Sequence, residues 1–166
     1  MIEPAKIDVA TLREAYRAKK LALFDTLRFA RAPTRSVHTV LRQLSALADQ
    51  TLCALWHEAD FGDSLTLAAV GGFGRGELFP YSDVDVLLLL PPEGHDSEID
   101  PARIEAFIGQ CWDAGLEIGS SVRTVEECEL LCAIGFAQRC HVDLGWFDHG
   151  FVRGRAPLAR LTFSLR

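Results

Sequence analysis

Asp83 and Asp85 stand one residue apart at the head of the apolar run Val86-Leu87-Leu88-Leu89-Leu90, shortly after the glycine string Gly71-Gly72-Phe73-Gly74-Arg75-Gly76. If that run is a strand, side chains two apart face the same way and both carboxylates project together. Two carboxylates so close repel unless something positive lies between them. All-oxygen donors favour a hard divalent ion, so Asp83 and Asp85 read as ligands for Mg2+ or Mn2+. Gly71 and Gly72 lack Cβ atoms, which lets a ligand approach the backbone, and their N–H groups suit an anion such as phosphate. An isolated Asp-x-Asp is more often a pair of turn acids. The glycine string before it and the apolar strand after it shift the reading to a metal–nucleotide site.

Spacing removes two other glycine motifs. The P-loop needs a lysine after its last glycine, and no lysine follows Lys20. The dinucleotide fingerprint Gly-x-Gly-x-x-Gly, started at Gly72, meets Glu77 where its third glycine should be.

These residues need a scaffold. Residues 64–70 read as a short buried strand ending at the glycines. A short helix is expected over residues 75–79, its N-terminus aimed at the same place. The aspartates then open a second strand through Leu90. Residues 91–97 form a turn-rich acidic loop. Pro101 starts a helix expected to bury Ile104, Phe107, Ile108, Cys111 and Trp112, and Gly115 ends it. Residues 116–124 read as a third strand, and Thr124 with Glu127 matches a capping box for a following helix. Upstream, apolar spacing predicts one helix over residues 9–31, with Leu12, Ala15, Tyr16, Leu23 and Leu27 inward. After Pro33, a second helix capped by Thr34 or Ser36 carries Val37, Val40, Leu41, Leu44, Leu47, Ala48, Leu52, Leu55 and Trp56. The fold class is therefore α/β (α+β): a small mixed sheet with packed helices. A helical N-terminal extension (1–62) leads into the core (63–132) and an atypical tail (133–166).

Composition narrows the setting. The 166 residues carry a net charge of −6, which argues against a nucleic-acid partner. No apolar run is long enough for a membrane span, and the N-terminus lacks signal-peptide features. Five cysteines without framework spacing suggest reduced thiols and a cytoplasmic setting. Cys128, Cys132, Cys140 and His141 lack the paired spacing of a zinc knuckle.

Gly71-Gly72, the short helix and Asp83-x-Asp85 resemble the nucleotidyltransferase core of the DNA polymerase β superfamily. The longer string Gly-Gly-Phe-Gly-Arg-Gly-Glu-Leu-Phe-Pro-Tyr-Ser-Asp-Val-Asp, residues 71–85, resembles the N-terminal catalytic domain of the bacterial uridylyltransferases of the nitrogen-regulatory PII protein. The run around Gly115-Leu116-Glu117 and Ser121-Val122-Arg123-Thr124 is also similar, with Ser120 where the family has a histidine. The resemblance implies transfer of UMP from UTP to a tyrosine hydroxyl of PII, with release of pyrophosphate. It further implies two Mg2+ ions on Asp83 and Asp85, and phosphates against Gly71 and Gly72. Arg75 and Ser82, inside the same string, are further nucleotide-binding candidates.

The superfamily also places a third carboxylate on a neighbouring strand. Glu117 is its candidate by position, and equally reads as an exposed strand acid. Arg123 meets either phosphate or a surface acid. Three other readings of the whole stay open: transfer of another nucleotide or to another acceptor, a non-catalytic fragment that binds nucleotide or a partner, and a fragment too incomplete to fold stably.

Beyond Cys132 the resemblance stops. The tail is basic, with Arg139, Arg153, Arg155, Arg160 and Arg166 against Asp143 and Asp148. A truncated or frame-shifted gene is the expectation for it. The hydrolase and sensing domains of whole family members do not fit in this length, so transfer alone is expected.

Overall fold

The computed structural model describes residues 7–28, 33–61, 65–90, 100–128 and 159–160. Helix α1 (Val9–Arg28) opens the chain. Its cap is Asp8, whose carboxylate accepts from the backbone N–H groups of Ala10 and Thr11 and from the Thr11 hydroxyl. Helix α2 (Pro33–Ala59) starts at the proline itself, before the expected Thr34 or Ser36 cap. A proline has no N–H to leave unsatisfied in a first turn.

Strands β1 (Thr66–Ala69) and β2 (Val84–Leu90) flank a one-turn helix, α3 (Gly71–Gly74). Helix α4 (Pro101–Asp113), capped by Asp100, leads to β3 (Ile118–Thr124). The capping box at the end of β3 forms: Thr124 N donates to Glu127 Oε2 at 2.9 Å, and Glu127 N donates to Thr124 Oγ1 at 3.2 Å. Residues 125–128 are helical.

The sheet order is β3-β2-β1-β4. Strand β4 is the two-residue piece Ala159–Arg160, which lies in the stretch expected to be an atypical tail and pairs with β1 in parallel. Strand β2 runs antiparallel to β1 and parallel to β3, so the sheet is mixed and the fold α+β, as the sequence suggests. Strand β2 sits inside the sheet and is buried on both faces from Val86 to Leu89, which explains its unbroken apolar run.

The two faces of the sheet have different neighbours. Leu67, Ala69, Val84, Val86, Leu88 and Ile118 share one core with the helices, including Tyr16, Leu44, Leu52, Leu55, Trp56 and Phe107. The lead-in helices and the sheet therefore bury one continuous apolar surface. Each Leu or Phe buried there contributes ~1.5–3 kcal/mol relative to exposure. Trp56, Phe61 and Phe107 close one end of this core with ring centroids 4.8–5.9 Å apart. On the opposite face Ala68, Leu87, Leu89 and Cys128 form a smaller cluster.

Other expectations shift. The short helix lies over Gly71–Gly74 rather than residues 75–79, because Gly76, at φ 72°, turns the chain out of helical geometry. Trp112 and Val37, assigned to buried stripes, are 54% and 36% exposed, and Ala15, expected inward on α1, is exposed as well. Trp112 lies near the end of α4, and Val37 lies near the start of α2.

Candidate active site

Strand parity decides where the aspartates go. Asp85 is two residues before Leu87, so it shares the face of Leu87 and Leu89, away from α1, α2 and α4. Asp83 precedes β2 with the same parity. Across the parallel ladder, Asp85 pairs with Gly119 of β3. Below it, Val70 N donates to Asp85 O at 3.0 Å and ties the end of β1 to the start of β2.

The Asp85 carboxylate lies between two backbones. A Cβ at Gly71 would stand 2.9 Å from Asp85 Oδ2, and a Cβ at Gly119 would stand 2.8 Å from Asp85 Oδ1. The Gly119 position would also lie 3.9 Å from Asp83 Cβ, so Asp83, Asp85, Gly71 and Gly119 meet at one point. Burial first, and the Asp83 charge second, raise the Asp85 carboxyl above its ordinary value. A cation between the carboxylates would offset their repulsion and favour the charged form of Asp85.

The donor set suits Mg2+. Among the described residues no group of three or more His, Cys, Asp or Glu side chains is arranged to hold a metal. Mg2+ does not require such a cage, because it takes one or two carboxylates and fills the rest of its shell with water and substrate phosphates.

The glycine turn is held from several sides. Gly71 has φ 61°, a left-handed conformation that L side chains rarely adopt. Gly74 N donates to Val70 O at 2.8 Å, and Glu77 N to Gly72 O at 2.9 Å. Arg75 folds back on this turn: Nη1 donates to Gly71 O at 3.1 Å, and Nε faces Glu77 Oε2 at 3.4 Å. Both partners of that ion pair are about half exposed, so it contributes ~0–1 kcal/mol. Next, Leu78 N donates to the buried Ser45 Oγ of α2 at 2.9 Å, while Ser45 Oγ donates to Leu41 O at 3.1 Å. Ser82 N donates to Phe79 O at 3.1 Å around Pro80 and Tyr81, with the proline at the favoured second position of the turn. Ser82 is exposed beside Asp83. Tyr81, 86% exposed, rests against Phe24 of α1 with ring centroids 5.7 Å apart.

Glu117 lies just before β3, beside the start of β2. Its carbonyl accepts from Val84 N at 2.7 Å, which fixes the loop before β3 to the start of β2. Its side chain is exposed, and its charge reaches the buried Tyr16 phenol. Burial first and Glu117 second push Tyr16 up to about 12. The structure thus brings together Asp83, Asp85, Gly71 and the glycine turn with Arg75, and the backbone of Glu117 lies beside the start of β2 at the same end of the sheet. Gly119 had no role in the sequence reading beyond belonging to a strand. A glycine inside a strand is itself a sign of close approach, and the register with Asp85 gives that sign its meaning.

Comparison with known proteins identifies the family. A family model described as a nucleotidyltransferase domain matches residues 52–134, from the last turns of α2 past the capping box. A bifunctional uridylyltransferase/uridylyl-removing enzyme of Burkholderia orbicola (strain AU 1054) is 50% identical over 116 residues, which is 70% of this chain and 13% of the relative. Enzymes of the same name are 55% identical over 93 residues in Ralstonia nicotianae, covering 56% of this chain and 11% of the relative, and 47% identical over 125 residues in Cupriavidus pinatubonensis, covering 75% and 14%. The chain spans only about an eighth of the length of such relatives. No solved structure matches it. With its glycine turn seated against a paired-aspartate strand, and with the family model spanning both, this chain belongs to the nucleotidyltransferase domain family.

Proposed function

We propose that the chain transfers a uridylyl group from UTP to a tyrosine hydroxyl of the PII signal-transduction protein and releases pyrophosphate. The observation that carries this reading is the seat of Asp85 between Gly71 and Gly119, beside Asp83, in a chain half identical to uridylyltransferases across most of its length. The acceptor and the base rest on the relatives' name and on the resemblance of residues 71–85; the nucleotidyl-transfer chemistry rests on the site.

Asp83 and Asp85 would hold Mg2+ or Mn2+. Bound there, the metal supplies Lewis-acid activation of the acceptor hydroxyl and neutralises charge on the triphosphate. The rest falls to the chain itself. The first N–H groups of a helix have no partner within it, so those of Gly71 and Gly72 are offered to phosphate oxygens. Arg75 keeps that turn in shape by its bond to Gly71 O, with its remaining N–H groups available to the nucleotide. Ser82, next to Asp83, adds a hydroxyl at the same edge. A tyrosine acceptor has a pKa near 10 and gives up its proton slowly at neutral pH without help. Glu117 is the acid we assign to receive that proton.

The test is a transfer assay with purified PII and each of the four NTPs in Mg2+, followed by intact mass. The expected result is a mass gain of one uridylyl group with UTP, lost in Asp85→Ala and after chelation. Gain from another NTP would reassign the base. Nucleotide binding without pyrophosphate release would replace the enzyme with a binding module.

A further inference from the structure

We infer that Gly119 is a positioning residue for Asp85: the Cβ missing from the neighbouring strand is the space in which the metal-binding carboxylate lies. The inference rests on the reading of Asp83 and Asp85 as a metal pair.

In an ordinary parallel ladder, two residues in register stand side by side and each side chain rises from its own strand. Asp85 and Gly119 are in register, yet Asp85 Oδ1 lies 2.8 Å from where a Gly119 Cβ would be. That is closer than real Cβ atoms come to any neighbour, so the carboxylate leans across into the vacancy. Its other oxygen lies just as near the corresponding position on Gly71. One carboxylate is therefore wedged by two glycines, one oxygen to each.

The two glycines differ in why they are glycine. Gly71 has a positive φ, so any side chain there strains the backbone whatever lies nearby. Gly119 is not among the positive-φ glycines. Its backbone accepts any residue, and only the neighbouring carboxylate asks for hydrogen. A methyl at 119 meets the far end of a flexible side chain, so the fold survives and the carboxylate is what moves. The same methyl would sit 3.9 Å from Asp83 Cβ, between the two ligands on the β3 side. The consequence is specific: alanine at 119 disturbs metal binding while leaving the sheet intact.

The experiment compares the full 166-residue chain with Gly119→Ala, Gly109→Ala, Asp85→Ala and the double variant Asp85→Ala/Gly119→Ala. Gly109 lies on α4 with nothing near a would-be Cβ, so it controls for the exchange itself. Mn2+ affinity is read by electron paramagnetic resonance, and the Asp85 side-chain carboxyl by 13C NMR. Gly119→Ala should weaken Mn2+ by about ten- to hundredfold and shift the Asp85 carboxyl resonance. Gly109→Ala should do neither. In the Asp85→Ala background, the alanine at 119 should change residual Mn2+ affinity no further.

Equal losses in both backgrounds would mean a general strand effect and overturn the inference, as would native affinity in Gly119→Ala. If the native chain binds no Mn2+, the metal reading fails, and an unmoved Asp85 resonance in Gly119→Ala would separately overturn the positioning role. Should Gly119→Ala fail to fold while the double variant folds, the contact is confirmed by its relief. If both fail, the strand itself rejects the methyl and the inference is wrong.

Discussion

Ser45→Ala should cost far more than its one lost oxygen suggests. Ser45 is 1% exposed and Leu78 is 5% exposed, and the serine hydroxyl is the acceptor for Leu78 N at 2.9 Å. Alanine leaves that backbone N–H buried, and removing one oxygen opens no room for a water molecule. An orphaned buried donor costs about 1–3 kcal/mol. At about 2 kcal/mol, a chain of this size loses roughly 4–8 °C in Tm. Thr51→Val is the matched control. Thr51 is also buried, but its hydroxyl only donates to Leu47 O of its own helix, at 2.9 Å. Valine keeps the shape and orphans no donor, so its effect should be about 0.5 kcal/mol or less. Urea unfolding of the three proteins, fitted with a common m-value, measures the difference. If Ser45→Ala and Thr51→Val cost the same, Leu78 N does not depend on Ser45, and the assignment of α2 as the anchor of the site loop is refuted.

Asp85 gives a metal-linked prediction. Its carboxyl is raised in the fold, so its contribution favours folding below the ordinary carboxylate pKa and is lost as pH rises through the folded value. At neutral pH, without metal, Asp85→Asn should therefore raise Tm, and saturating Mg2+ should raise the Tm of the native chain but not of the variant; the opposite pattern in thermal melts would be decisive against it. Tyr16 carries the alkaline counterpart. With its phenol pushed from 10 to about 12, the neutral form stabilises the fold below pH 10, and that contribution, up to about 3 kcal/mol, disappears between pH 10 and 12. Tyr16→Phe should lack this fall in a pH series of urea midpoints. Arg103 Nη2 donates to Ala59 O at 2.8 Å and Asp60 O at 2.9 Å at the end of α2, with the guanidinium 5.1 Å over the Phe61 ring. Because Arg103 is exposed, Arg103→Ala should cost about 1 kcal/mol, and Arg103→Lys should recover little of it, since lysine lacks the flat guanidinium that lies over Phe61; full recovery by lysine would show that charge alone matters.

What the sequence made legible is what depends on short-range pattern. The unbroken apolar run of β2, the shared face of Asp83 and Asp85, and the capping box at Thr124 and Glu127 each follow from spacing within one element. The misplaced short helix shows where this ends. Residues 75–79 have helix-compatible types, but the backbone signs of Gly71 and Gly76 decide where the turn closes, and glycine is silent about which sign it takes. Trp112 and Val37 match the helical period yet lie exposed, and period alone does not say where a buried stripe stops. The role of Gly119 was invisible for a stronger reason. It depends on the register between β2 and β3, and α4 with its connections separates the two partners in the chain.

The same distinction explains how the site is held. Asp85 is seated by backbone on both sides, through Gly71 and Gly119, and that seat belongs to the sheet. The loop from Gly76 to Ser82 is anchored from outside the sheet by Ser45 of α2 at Leu78, and its exposed Tyr81 touches Phe24 of α1. Tyr16 extends the same helix to the far strand, where Gly115 would place a Cβ 3.8 Å from the Tyr16 ring and where Glu117 acts on its phenol. Helix α1 thus reaches both loops that lead into the ends of β2 and β3 where the candidate site lies. The helical lead-in therefore belongs to the scaffold of the candidate site, because it holds the loop after the glycine turn through Ser45 and packs against the turn before β3 through Tyr16.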